Sequence, residues 1–452
     1  MNIRQNYIGL WGILAICFMM GIAPVHAQTV IRDTEIESYL QEWFAPIYQA
    51  AGMSADQVDI ILVQDSKINA FVAGGANIFF YTGLIEKTDD PLEMVGVMAH
   101  ELGHIAGGHT IRARAAMENA SYETLLGVLV GAAAAVATGN PGAAGAIGTG
   151  GSTMAQRGFL KTARTFESSA DQFAITKLEK AGLSPQGLAT FLGKLSSQEL
   201  LPTSQQSEYV RTHPLTRDRI QGVEEAVSRS PHKHKSAPAA WQEQHQRLKA
   251  KLIAFITPQQ IAWIYEDRDD SIAANTARAV AAYRLNQIPA ALKAIDGLIA
   301  REPDNPYFYE LKGQMLKDFG RLTEALPAYE KAVRLKPDAA LIRTDLAHVL
   351  IETAGSNTAQ FQQALTHLDV ALKSEPRSTR IHRLMATALG RMGNDPAARL
   401  HLAEEAYLQR KIPYARDQLD IALKGLSPQS REWIRAQDLK QALDNHKNSE
   451  GS

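Results

Sequence analysis

Residues 98–104 read Met98-Ala99-His100-Glu101-Leu102-Gly103-His104, an H-E-x-x-H sequence inside an apolar run. On a helix, positions four apart stand one above the other, so His100 and His104 share a face. Two imidazoles placed this way can bind one zinc ion, with Glu101 beside them as a general base. The flanks supply the helix. Asp89-Asp90-Pro91 offers a cap followed by proline in the first turn, and Glu93 lies where the helix dipole favours an anion. Met94, Val95, Met98, Leu102 and Ile105 make an apolar stripe, so the motif should sit in a core.

Toward the N-terminus, Asn77–Tyr81, Asn69–Ala73 and Val58–Gln64 read as short strands, broken by Gly74-Gly75 and by Asp65-Ser66-Lys67. Before them, Thr34–Ala51 carries Ile36, Tyr39, Leu40, Trp43, Phe44 and Ile47 near helical spacing. The first 27 residues read as an export signal: Arg4, an apolar core Ile8–Ala23, and Val25-His26-Ala27 before an expected cleavage at Gln28. Cys17, the only cysteine, lies inside it, so a metal site in the mature chain has to use His, Asp and Glu.

A zinc hydrolase needs a third protein ligand and an open position for water. The pattern H-E-x-x-H-x-x-G-x-x-H fails, because position 110 is Thr110. His109 is one residue off on a tight turn, and it is set aside. Downstream, Glu167 and Asp171 lie four apart within a predicted helix over Phe159–Ala181. There Glu167 can ligate zinc while Asp171 accepts the outer N–H of a ligand histidine. Another helix is predicted over Pro185–Ser197.

Residues 125–151 are apolar and free of charge, but Asn140-Pro141-Gly142 interrupts them. They read as a packed helix followed by a mobile Gly/Ala loop, with peripheral contact to a membrane surface as the alternative. Ser228–Ala240 is rich in Pro, Ser and Lys and has no periodicity; it marks a boundary. Beyond about Ile272 every pattern is helical. Pro303 and Pro337 stand 34 residues apart, and at the same offset Asn286 matches Gly320, Ala291 matches Ala325 and Ile295 matches Tyr329. That period and small/large pattern are those of the tetratricopeptide repeat. A third copy reaches Pro376, and Ile381–Leu426 reads as further helical pairs. The formal net charge of −1 argues against a nucleic-acid binder.

The text from His100-Glu101-Leu102-Gly103-His104 to Arg164-Thr165-Phe166-Glu167-Ser168-Ser169-Ala170-Asp171 resembles the M48 metallopeptidases. The resemblance implies His100, His104 and Glu167 as ligands of one Zn2+ per chain and Glu101 as the catalytic base. It further implies that Asn69, Ala70 and Phe71 belong to an edge strand suited to pairing with a substrate peptide. Thr212-His213-Pro214 through Arg219 resembles another family element, which implies His213 as a fourth ligand or switch and Arg219 as a positioning residue; a capping or solvated role for His213 stays open. The expected fold class is α+β, mostly α. A zincin-like metalloprotease domain of helices and a small sheet (28–230) is followed by a linker and connecting helix (231–270) and an α-solenoid of tetratricopeptide repeats (271–452). An exported M48 peptidase with such repeats implies a periplasmic endopeptidase acting on unfolded or misassembled outer-membrane proteins. Its repeats would bind clients or the β-barrel assembly machinery. A non-proteolytic periplasmic assembly factor is the alternative.

Overall fold

The computed structural model describes residues 29–113, 115 and 162–450. The readings made for 1–27 and for 125–151 lie outside the described residues. The helix Thr34–Ala51 starts where the Asp33 carboxylate accepts from the Ile36 amide at 3.0 Å, and it ends at Gly52 in the left-handed region (φ 72°). Its predicted stripe is buried, and the Phe44 ring meets Phe80 of the sheet at 6.0 Å.

That sheet has four strands in the order β1 (Thr29–Ile31), β2 (Asp59–Gln64), β4 (Asn77–Tyr81), β3 (Ala70–Ala73). β2 and β4 run parallel, while β1–β2 and β3–β4 are antiparallel. Gly74 and Gly75, with φ of 62° and 106°, close the β3–β4 hairpin, and β3 is left at the edge.

The motif helix, Pro91–Ala106, is capped by Asp90, whose carboxylate accepts from the Leu92 amide at 2.7 Å. It is buried on every side from Pro91 to His104. A helix hydrophobic all round belongs in a core, and here the helix Gln186–Leu195, helix 162–180 and the sheet surround it. Gly96 lies against the backbone of Leu188, where a Cβ would come within 2.7 Å of the amide nitrogen.

The segment between the helices Arg217–Arg229 and Ala239–Ile256 is held on this body: Ser230 and Ala237 are buried, and Ser184 Oγ donates to the Lys233 carbonyl at 3.0 Å. The helix Ala239–Ile256 then serves two cores. Trp241, Leu248 and Leu252 pack with the motif helix's cluster, and Ala250 and Ala254 with that of the first repeats.

The repeats follow as antiparallel helix pairs: Ile272–Arg284 with Ile288–Arg301, Pro306–Asp318 with Leu322–Leu335, and Ala340–Thr353 with Thr358–Ser374. Thr379–Arg391 with Asp395–Leu408 and Ile412–Gly425 with Arg431–Glu450 complete the array. Asn286 and Gly320, matched in the sequence, both take positive φ (57° and 76°) at the turn inside their pairs. The small/large rule is a contact. A Cβ on Gly313 would meet the Tyr329 ring at 2.8 Å. The first repeats touch the peptidase body directly, with Thr34 Oγ1 donating to Glu310 at 2.5 Å and Arg32 paired with Glu375 at 2.5 Å.

Candidate metal centre

Burial of the motif helix forces its polar side chains to find partners or an ion. His100 and His104 turn their Nε2 atoms toward each other, 3.1 Å apart. Glu167 arrives from helix 162–180, with Oε2 at 3.3 Å from His100 Nε2 and Oε1 at 3.4 Å from His104 Nε2. Gly103 permits this approach: a Cβ there would stand 2.9 Å from Ala170 Cα. His213 completes the group, and one ligand atom from each of the four lies within 4.8 Å of the rest.

Asp171, one turn beyond Glu167, places Oδ1 at 2.8 Å from His100 Nδ1. Arg219 is buried between the acids, with Nε at 2.5 Å from Asp171 Oδ2 and Nη1 at 2.8 Å from Glu167 Oε2. It also donates to the carbonyls of His213 and Pro214, each at 3.4 Å, which ties down the turn carrying His213. Burial alone would lower the His100 imidazole, but the charge of Asp171, helped by Glu167, pushes it up to about 9. The same acid that stabilises a proton there raises the basicity of the ring as a ligand. His104 is pushed down to about 2, by burial first and then by the charges of His100 and His213. Glu167 is held well below the usual carboxylate range despite burial, because His213 and His100 face it.

His213 closes the helix Glu208–Thr212. Its Nδ1 is 3.2 Å from both Glu167 oxygens, and its Nε2 is 3.2 Å from the carbonyl of Ala70. Donation from Nε2 to that carbonyl leaves the Nδ1 lone pair facing the cluster. Glu101 is fully buried, and among the described residues neither of its oxygens has a hydrogen-bond partner; the His213 Nε2 atom lies 3.5 Å from Oε1. Burial pushes its carboxyl up. Such an orphaned acid beside a cluster of N and O donors suits a site that takes a divalent ion and a water.

The residues expected in a substrate-pairing strand divide. Asn69 is buried behind the edge, and Ala70 is buried with its carbonyl facing His213. Phe71 begins the half-buried run that ends at Ala73 and stacks on Phe79 at 5.0 Å. His109, set aside as a ligand in the sequence, lies outside the four-residue group but directly against one of its members. Its Nδ1 is 3.0 Å from His104 Nδ1, Ser169 Oγ is 3.1 Å from its Nε2, and its ring stacks on Phe166 at 4.5 Å. It backs His104 as Asp171 backs His100. The turn at Gly107-Gly108, with φ of 59° at Gly108, brings it back over the helix end. That reversal has no periodicity to betray it.

Comparison with known proteins agrees with this geometry. Residues 32–227 match the family described as Peptidase family M48, and residues 276–340 and 316–387 match tetratricopeptide repeats. The chain is 25% identical over 363 residues to a protein named Beta-barrel assembly-enhancing protease from Yersinia pestis, covering 78% of this chain and 72% of that one. The protein of the same name from Escherichia coli K12 is 25% identical over 341 residues, covering 74% and 68%. Metalloprotease LoiP from Escherichia coli K12 is 28% identical over 210 residues, covering 46% and 74%. This chain therefore carries a peptidase family M48 domain ahead of tetratricopeptide repeats, and it is a metallopeptidase.

Proposed function

We propose that this chain is a zinc-dependent endopeptidase of the bacterial cell envelope, exported by a signal cleaved after Ala27. It acts on misassembled outer-membrane proteins, its repeats binding clients or assembly partners, and His213 restrains it at rest. The peptidase unit spans 28–230, a connecting segment 231–270 and the repeats 271–452. The observation that carries the reading is the convergence of His100, His104, Glu167 and His213 beside the unpartnered Glu101. The envelope and client roles are supported by the beta-barrel assembly named for the relatives.

His100, His104 and Glu167 would hold the zinc ion, which when bound acidifies a water and polarises the scissile carbonyl. Glu101 takes the proton of that water and delivers it to the leaving amine; its raised affinity for protons suits both steps. Arg219 keeps Glu167 ionised and aimed, and Asp171 keeps His100 in one tautomer. His213 covers two things at once, the fourth ligand position and the Ala70 carbonyl at the start of the edge strand. Its withdrawal would free both, so that an extended peptide can add to β3 with its carbonyl near the ion.

Unfolded-protein cleavage by the purified mature chain tests this. Glu101→Gln should keep its metal and lose about 10²- to 10⁴-fold in rate, and His213→Ala should cleave faster than wild type. Equal cleavage by wild type and Glu101→Gln would remove Glu101 as the base, and equal rescue of an envelope assembly defect by the two would favour a non-proteolytic assembly factor. A His213→Ala rate at or below wild type would remove the restraint.

A further inference from the structure

A second cluster of metal-type donors lies in the repeats. His382 projects from the helix Thr379–Arg391, and His401 and Glu404 from its partner Asp395–Leu408. His401-Leu402-Ala403-Glu404 sets an imidazole and a carboxylate three apart on one face. His382 Nδ1 and His401 Nδ1 are 3.1 Å apart, and Glu404 Oε2 lies 3.0 Å from the first and 3.1 Å from the second. The peptidase triangle has edges of 3.1, 3.3 and 3.4 Å and the same donor types, two imidazoles and a carboxylate.

Hydrogen bonding alone leaves one unfavourable edge in this triangle whether it holds one proton or two. A neutral imidazole brings at most one proton to its Nδ1, and an ionised Glu404 brings none. One proton leaves one edge with lone pairs on both atoms and only one of the other two hydrogen-bonded. Two protons, both directed at Glu404, set two N–H donors against each other at 3.1 Å. An ion among the three atoms satisfies every lone pair. With metal–ligand distances near 2.0–2.2 Å, tetrahedral donors sit about 3.4 Å apart, a few tenths wider than the edges here.

The surroundings are those of a built site. Both histidines are 3% exposed. Arg435, from the helix Arg431–Glu450, places Nη2 at 2.6 and 2.7 Å from the two Glu404 oxygens, orienting the carboxylate as partners of metal ligands do. His382 and Glu404 also line a cavity of about 580 Å³ with Asp369, Lys373 and Arg431, which offers a route to a fourth position.

We propose that His382 Nδ1, His401 Nδ1 and Glu404 Oε2 bind one divalent transition-metal ion, with the fourth position reached from this cavity. Imidazole with carboxylate selects the zinc, cobalt, nickel and copper class over magnesium or calcium. The ion would cross-link the two helices of one repeat and, through Glu404 and Arg435, hold the terminal helix against them.

The test uses the full mature chain, stripped with chelator and titrated with Co2+ alone, read by visible absorption and by metal content. Wild type should take up about two ions and His382→Ala/His401→Ala about one. A His100→Ala/His104→Ala variant, which disables the peptidase site, should still bind about one with a four-coordinate spectrum, and its unfolding temperature should rise with Zn2+. Glu404→Gln in that background should abolish the rise without removing either imidazole. Wild type binding one ion and His100→Ala/His104→Ala binding none would overturn the proposal. Loss of all metal from His382→Ala/His401→Ala, with His100→Ala/His104→Ala unaffected, would instead count against the peptidase site.

Discussion

His109 shows how much one side chain beyond the presumed ligands can matter. Its ring sits between His104 and Ser169 and is held flat by Phe166. A ligand histidine whose outer nitrogen is held keeps one tautomer and one orientation, and loss of such a partner typically costs 10- to 100-fold in metal affinity. His109→Ala should therefore weaken metal binding by about 10- to 100-fold while the fold persists, measured by competition with a chromophoric chelator. The solvent-facing His234, altered the same way, serves as the control. Equal affinity in both variants would return His109 to the role of a packing residue.

At the scale of elements, the centre depends on how closely two helices approach. The motif helix supplies His100 and His104, helix 162–180 supplies Glu167, and they meet where Gly103 faces Ala170. A Cβ at 2.9 Å from Ala170 Cα has only backbone and a methyl to displace, so the helices must part. Gly103→Val should cost about 1–3 kcal/mol by overpacking. It should also lower metal affinity, because Glu167 is drawn back from both histidines. Gly193→Ala is the contrast: nothing lies within 4 Å of its Cβ, and alanine is the better helix former by about 1 kcal/mol. Urea unfolding of both variants checks this, and similar midpoints would show that the helices tolerate separation.

For the whole molecule, the helix Ala239–Ile256 is the joint between peptidase and repeats, and His245, like Lys251, is a buried titratable contact from it to the peptidase body. Its Nε2 lies 2.9 Å from Thr88 Oγ1, whose own proton goes to the Ile85 carbonyl, so the histidine donates from Nε2. Burial, then the charge of Lys249, pushes this imidazole down to about 4. An unfolded histidine titrates near 6.5. Above that pH both states are neutral and nothing is lost; as pH falls from about 6.5 to 4 the unfolded chain takes up a proton that the native chain refuses. Stability should drop across that window by up to about 3 kcal/mol from this group. His245→Gln should flatten that part of the pH profile relative to wild type. Parallel profiles from pH 7 to 4 would show that the native imidazole accepts its proton without strain.

Periodicity made much of this architecture legible in the sequence. The motif helix announced itself through Asp90-Pro91 and its stripe, the first helix through Ile36 to Ile47, and the repeats through the offset that pairs Asn286 with Gly320. Local steric and hydrophobic rules act over a few residues, and a single chain records them directly. That Glu167 and Asp171 share a helix face was legible too, as a local property, while the link from that face to His100 and His104 came from the resemblance to the M48 metallopeptidases. What tertiary structure alone decided was convergence. The Ala70 carbonyl facing His213, the turn that returns His109 to His104, and the cluster of His382, His401 and Glu404 depend on how separate helices pack. No local spacing encodes the distance between side chains on different elements; it is set by close contacts such as Gly103 against Ala170, which exist only once the core has formed.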